Sequence, residues 1–411
     1  MGMYVASMFG MLVVAFITRK ISTTVDGVAG VMNVRTFDFA DASNGCLVLF
    51  FAITFGGAIL PSSSGSLLHA LQLVNPFLSL TILLGTVSAV RNSDGLRSTN
   101  LTTWFAMGYT FTLGLLYFTK QGVFVPAVCW VLGVAWSRFR LRFVHFAFLG
   151  VFIVLTLTIF VPICQLARSD VHSGDLSDRF DIVTGLAFHP SELRRREQEY
   201  EAPVDLDTRM FYFNERQGLF DRLTMMPNDS VLVQFTDLGH TFGYLPIRFY
   251  FENWVPHIID PHKLEGIQVG GNAYAHELGG LADNDFTTGI SFSPSAEAFH
   301  VDSWTGILVV APLVWLLLFV TVDATVGDIR RQPLGMFALL GFAHIAPEAG
   351  LGGSIESVRL LNISIMVGVF ACGYLAPVLG MLIRGRPVFR DDRPLFRPDR
   401  SLLAEEALKT S

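Results

Sequence analysis

Apolar residues in this chain gather into long unbroken runs instead of the periodic stripes of a soluble protein. Runs of spanning character occupy residues 1–18, 45–60, 67–90, 101–118, 122–137, 143–166, 303–322, 335–347 and 359–383. A helix that crosses a bilayer needs roughly 17–25 mostly apolar residues. Segments 45–60, 122–137 and 335–347 are short by that measure. Backbone inside hydrocarbon must satisfy its own N–H and C=O groups, so runs of this kind predict helices. The expected fold is an all-α polytopic membrane protein of about nine transmembrane helices with one large loop domain. The first run has no basic flank before it and no small-residue cleavage pattern after it, so it reads as a membrane helix and not as a signal peptide. Its start almost at Met1 leaves room for a further helix upstream.

The pattern changes between the sixth and seventh runs. Four regions result: helices over 1–166, a polar segment over 167–302, helices over 303–383, and a basic tail over 384–411. Long structureless connections are uncommon unless they carry function. Within the polar segment, SELRRREQEY (191–200) predicts a solvated helix face. In DTRMFYFNERQGLFDRLTMM (207–226), Arg209, Tyr212, Phe213, Arg216, Leu219, Phe220 and Leu223 share one helical face by their spacing of three and four. That face suits either a helix at the membrane surface, its arginines reaching the headgroups, or a binding surface. Arg222 points elsewhere, close to Asp221. His257 and His262 follow at no regular helical spacing, which favours structural or titrating roles over metal ligation.

The segment closes with NAYAHELGG, DNDFTTGI and SFSPSAEAFH. Asn272 can cap a short helix that Gly279 and Gly280 stop. Ser293 and Pro294 have the character of an N-cap and first-turn pair for a new helix, with Glu297, His300, Val301 and Trp304 on one face. A carboxylate in a first turn is favoured by the helix dipole at about 0.3–1 kcal/mol, which gives Glu297 a local explanation. Its place at membrane depth gives it a functional one.

Composition supports the membrane reading. Of 411 residues, 51% are hydrophobic and only 16% charged, where soluble domains carry about 25%. Lys and Arg in short loops mark the cytoplasmic side. Arg19, Lys20 and Arg35, then Arg91 and Arg97, then Arg138, Arg140 and Arg142, then Arg330 and Arg331, and finally the tail all fall in alternate loops. One arrangement satisfies them: N-terminus and residues 167–302 outside, tail inside. The outer segment holds 22 Asp and Glu against 10 Lys and Arg, so nucleic acid is excluded as its partner. The four cysteines, Cys46, Cys129, Cys164 and Cys372, all lie in apolar runs without a CxxC pair, and read as small buried apolar side chains.

The runs GNAYAHELG, TTGISFSP, AEAF and WTGILVVAP, with PHK (261–263) and RQGLFDRL (216–223), resemble bacterial O-antigen and exopolysaccharide repeat-unit polymerases. The resemblance covers the outer segment and the helix after it, about a third of the chain. It departs from that family in helix number, which is usually higher. It implies a metal-independent inverting glycosyltransferase of the GT-C type without cofactor, in the bacterial cytoplasmic (inner) membrane. Such an enzyme joins undecaprenyl-diphosphate-linked oligosaccharides at the outer face, with a chain-length regulator and export machinery as further partners.

That chemistry needs cations for the leaving diphosphate, for which Arg216, Arg222, Arg248, Lys263 and Arg359 (the last expected at the outer end of the final helix) are candidates. It needs a base near the acceptor hydroxyl, with Glu297 as first candidate and His276 and Glu277 as reserves. Asn272 is a candidate for a sugar hydroxyl. An O-antigen ligase-like transferase shares the donor chemistry and stays open. So do a flippase or export component for lipid-linked oligosaccharides, and a non-catalytic accessory subunit. Concentration of polar residues in one outer segment favours an enzyme over a transporter. A membrane cysteine peptidase is excluded by the absence of Cys from that segment.

Overall fold

In the computed structural model, the described residues are 2–22, 27, 38–59, 76–137, 139–170, 176–200, 226–252, 254–255, 271–279, 290–327, 335–341 and 350–385. Every regular element among them is helical. Five stretches are long and apolar enough to cross a membrane: Gly2–Ile21, Phe39–Gly56, Phe143–Cys164, Pro294–Val326 and Gly350–Ile383. The other four of the nine runs do not meet that measure of length and apolarity within the described residues. The run at 67–90 begins in residues outside the described set and continues as the 16-residue helix Phe77–Asn92. Those at 101–118 and 122–137 form Leu101–Leu116 and Lys120–Ser137, of 16 and 18 residues. Of 335–347, only 335–341 is described, as helix. Of the predicted interfacial helix 207–226, all but Met226 lies outside the described residues, Arg216 and Arg222 included, as does Lys263.

Contacts divide the chain into two units, each assembled from separate segments. One comprises Met1–Val25, Gln198–Ala324 and Gly341–Asn362; the other comprises Asp26–Glu197, Thr325–Leu340 and Ile363–Ser411.

The second unit is a bundle around a central helix. Its elements are α2 (Phe39–Ile59), α3 (Phe77–Asn92), α4 (Leu101–Leu116), α5 (Lys120–Ser137), α6 (Phe143–Leu155), α7 (Val161–Asp170), α8 (Leu176–Phe188), α9 (Pro190–Tyr200) and α16 (Ala376–Ile383). Helix α3 is buried almost throughout from Phe77 to Val90, which a sequence of apolar residues with only hydroxyl-bearing Ser and Thr among them allows. Small residues bring its neighbours close. A Cβ on Gly45 would strike the backbone of Ala376, and one on Gly380 the backbone of Asp41, so α2 and α16 pack almost backbone to backbone. In lipid, where apolar side chains gain nothing by meeting each other, such close packing and interhelical hydrogen bonds do the holding. Ser43 Oγ donates to the Thr81 carbonyl at 2.9 Å and Arg384 to Asp41 at 2.8 Å. Arg91 lies over the rings of Phe39 and Trp136 at 4.7 and 5.0 Å. All four cysteines are free and buried, as the sequence predicts.

Helix α6 buries none of its residues and presents Phe143, Val144, Phe146, Phe148 and Val151 outward, a surface suited to acyl chains. Helices α8 and α9 pack Val183, Leu186 and Leu193 against Ile163, Cys164 and Ala167. Glu192 in the first turn of α9 accepts from both Arg195 and Arg196, and these two guanidinium groups lower its pKa from 4.5 to about 2. A depressed carboxylate pKa stabilises the helix fully above pH 4.5, and that contribution is lost as pH falls toward 2. Amide protection across residues 190–200, taken relative to the intrinsic exchange rate at each pH, is expected to fall over that window and to be constant above it; Glu192→Gln should abolish the acid step.

The first unit contains α1 (Gly2–Ser22), α10 (Met226–Asp237), α11 (Leu245–Glu252), α12 (Gly271–Glu277), α13 (Pro294–Thr305), α14 (Ala311–Val326, joined to α13 by the π-helical turn Gly306–Val310) and the first part of α15 (Gly350–Phe370). Its core is Leu232, Tyr274, Phe292, Phe299, Ile307, Trp315, Leu351 and Ile355, with Tyr250 and Phe242 against it.

Candidate functional site

The sequence predicts one continuous face carrying Glu297, His300, Val301 and Trp304. Glu297, His300 and Val301 are buried, but Trp304 is 49% exposed. The backbone breaks between them: Asp302 has φ −159° and ψ 46°, and Ser303 has φ 46° and ψ −131°. A helix cannot propagate through those angles, so 294–301 is a separate short helix and the spanning segment restarts beyond it. From Trp304 to Val326 the chain alone runs roughly 34 Å, enough to cross hydrocarbon.

The short helix is tied down at its start. Ser293 is its N-cap, accepting from the Ala296 N–H at 3.1 Å, as the Ser-Pro pair predicts. Asp229 on α10 accepts from the Ser293 N–H at 2.9 Å and from the Tyr4 hydroxyl of α1 at 2.7 Å. Asn228 donates to the Ser291 carbonyl at 2.9 Å, and Ser7 meets Ser295 at 2.6 Å. Replacing Ser293 by Ala is expected to cost about 1 kcal/mol, measured as a lower unfolding midpoint of the detergent-solubilised protein.

So held, α13 aims two polar side chains into the core. Glu297 is 2% exposed. One of its oxygens accepts from the Tyr274 hydroxyl at 2.9 Å; the other accepts from the backbone N–H groups of Leu351 and Gly352, the latter at 3.3 Å. Those N–H groups open α15, so Glu297 sits in the first turn of its own helix and caps another. Two helix N-termini converge on one carboxylate, an arrangement that favours negative charge. The glycines make it fit. Gly350 has φ +63°, and a Cβ there would enter Glu297; a Cβ on Gly352 would enter the Tyr250 ring. Burial, with Glu297 beside them, raises the pKa of both Tyr274 and Tyr250, keeping their hydroxyls protonated.

His300 is fully buried and joins a second chain of groups. Thr236 Oγ1 donates to the Leu232 carbonyl at 2.8 Å, so its lone pair must accept from His300 Nδ1–H, at 2.9 Å. The neutral imidazole is thereby fixed with its free lone pair on Nε2. That nitrogen faces Glu277 Oε2 at 3.3 Å. Glu277, at the end of α12, is partly exposed, and desolvation raises its pKa above 4.5. His240 stands close by at the surface, stacked on Phe235 at 4.4 Å. Tyr274 links the two sets: its hydroxyl binds Glu297 and its ring stands edge-on to His300, centroids 5.3 Å apart.

Of the residues singled out from the sequence, this places Glu297 and Glu277 in one cluster, with His276 on the same short helix as Glu277 and Asn272 in its first turn. Arg248 is on α11 with its side chain 70% exposed and paired to Glu252 at 2.5 Å. Arg359 differs from its expected place. Helix α15 starts at Gly350, not near residue 359, so Arg359 lies roughly 14 Å along it, paired with Glu356. The glycine- and serine-rich first turns do not read as spanning helix by hydropathy; the distant Glu297 cap stabilises their start. Sequence reasoning missed Thr236, Asp229, Tyr250, Tyr274 and Glu356. Of these only Glu356 carries a local signal, an acid entering an apolar run.

No known protein family, characterised protein or solved structure matches the chain.

Proposed function

We propose that the protein is a membrane glycosyltransferase that polymerises oligosaccharide units carried on undecaprenyl diphosphate, at the outer face of the bacterial cytoplasmic membrane. The observation that carries this reading is the Thr236–His300–Glu277 chain: a partly exposed carboxylate backed by a buried, tautomer-fixed imidazole. A partly exposed carboxylate whose pKa is raised by desolvation suits a general base, and the Nε2 lone pair beside it adds to that rise. The sequence resemblance to repeat-unit polymerases supplies the substrate class.

In the proposed reaction an acceptor sugar hydroxyl attacks the anomeric carbon of the donor glycan as its bond to the diphosphate oxygen breaks. Glu277 takes the hydroxyl proton and releases it to water through its exposed edge. The leaving diphosphate takes the electron pair, and its charge calls for cations. Arg248 is exposed and pairs with Glu252 on its own helix; Arg216, Arg222 and Lys263 lie in the same polar segment of the sequence, 167–302. Glu297, with both oxygens committed to Tyr274 and α15, acts in this reading as a positioning residue and not as the base. His276 and Asn272, one turn apart on the helix that carries Glu277, are the candidates for contacts to the acceptor sugar.

Transport of a lipid-linked glycan is the second reading. The break at Asp302–Ser303 and the Glu356–Arg359 pair within an apolar helix are features that transporters also use. Reconstitution of the intact protein with lipid-linked repeat units separates the two. Polymerisation gives a ladder of products that persists in chelator; translocation without a ladder would sink the enzyme reading. Transfer to an unrelated acceptor in place of a ladder would make it a ligase.

A further inference from the structure

The second unit holds a separate polar cavity. Four helix ends enclose it: the starts of α2 and α4 and the ends of α3 and α16. Its volume is about 530 Å³, it opens to the surface, and it lies at the end of the bundle that carries Arg91, Arg97 and Arg384.

Bonds among the lining side chains decide what is left to bind a ligand. Asn100 Oδ1 accepts from the N–H and hydroxyl of Thr103 at 2.8 and 2.9 Å, capping α4. Thr102 donates to Asn44 Oδ1 at 2.6 Å, which leaves the Asn44 amide NH₂ as a donor. Asn92 donates its NH₂ to Ser88 at 3.1 Å, which leaves its Oδ1 as an acceptor. Arg384 is neutralised by Asp41. Arg97 makes no side-chain hydrogen bond or ion pair with any described residue. The cavity therefore presents one uncompensated guanidinium, a carboxamide donor and a carboxamide acceptor. That set fits a singly charged phosphodiester bearing hydroxyl groups, and a guanidinium fork suits phosphate in particular.

The rim identifies the source. Leu101 in the cavity lining is 86% exposed, and Leu96, in the turn next to the lining residue Arg97, is 63% exposed. Large apolar side chains standing free around a polar cavity, at the end of spanning helices, occupy the level where headgroups meet acyl chains. A soluble metabolite gives those leucines nothing to touch; a phospholipid does.

We infer that this cavity binds the phosphoglycerol headgroup of an anionic phospholipid from the adjoining leaflet. The phosphate pairs with Arg97, the glycerol hydroxyls bond to Asn44 and Asn92, and the acyl chains lie along Leu96 and Leu101. This inference is independent of the glycosyltransferase reading, because the first unit supplies none of the residues.

Lipid retention by the full chain tests it. Protein purified in mild detergent is titrated with phosphatidylglycerol, phosphatidylcholine or glycerol 3-phosphate and followed by native mass spectrometry. Phosphatidylglycerol is expected to bind and phosphatidylcholine not to. Arg97→Gln should weaken phosphatidylglycerol about tenfold, the scale of one charge-assisted contact. Arg140→Gln, a neighbouring cation that packs over Gly95 outside the cavity, should leave binding unchanged. Equal retention of both lipids, or wild-type retention by Arg97→Gln, overturns the proposal. Displacement of the lipid by glycerol 3-phosphate would overturn the lipid source and assign the cavity to a soluble phosphate ester.

Discussion

Glu277→Gln is expected to lower turnover of the proposed reaction by about 10²–10⁴-fold, the usual worth of a general base, with little change in stability. The amide is isosteric, and its NH₂ can donate to His300 Nε2 where the acid now stands at 3.3 Å. What it cannot do is take a proton. The sign of the pH dependence follows from the environment. Desolvation lifts the Glu277 pKa above 4.5, so the base is protonated, and activity lost, as pH falls through that raised value. The acid limb of kcat/KM should therefore lie above the ordinary carboxylate range in the parent protein and vanish in Glu277→Gln. Full turnover in this variant, with the acid limb intact, would remove Glu277 from the chemistry.

The largest structural effect is expected at Glu297. Glu297→Ala leaves the Tyr274 hydroxyl and two backbone N–H groups of α15 without their acceptor. A buried donor left unsatisfied costs about 1–3 kcal/mol, so the total is roughly 3 kcal/mol or more. The start of α15 should fray and activity should fall with it. Glu297→Gln distinguishes support from chemistry. Its carbonyl oxygen can still accept from Leu351 and Gly352, and its NH₂ can donate to the Tyr274 oxygen. The Tyr274 proton still loses its acceptor, so a positioning residue predicts a moderate loss of thermal stability and substantial turnover in Glu297→Gln, against larger losses of both in Glu297→Ala. If Glu297→Gln is folded but inactive while Glu277→Gln works, the base is Glu297. Gly350→Ala should resemble Glu297→Ala, since a left-handed Ala costs about 1–2 kcal/mol and its Cβ enters the carboxylate.

The local half of this site was readable. The Ser293 cap, the Pro294 start, the first-turn Glu297 and the left-handed Gly279 just past the short helix all stand where capping chemistry put them. Caps and turns depend on residues within four positions of each other, so one dimension contains the information. The break at Asp302–Ser303 left no such mark. Neither residue is Gly or Pro, and the angles are imposed by what α13 and the following helix each pack against. Arg359 was misplaced for a related reason: hydropathy locates hydrocarbon, whereas the helix begins wherever its first N–H groups find acceptors.

Composition and pattern alone determined that the chain is helical, belongs in a membrane, keeps its cysteines as buried free thiols, and concentrates its acids between residues 167 and 302. Each follows from sums over many residues, or from the demand that backbone in lipid satisfy itself. Only the tertiary structure decided that Glu297 caps a helix starting more than fifty positions away, that Thr236 fixes the tautomer of His300, and that Glu277 is the carboxylate left partly open to solvent. A buried polar group takes its role from the partners that fill its lone pairs. Here those partners come from three other helices, and folding brings them together.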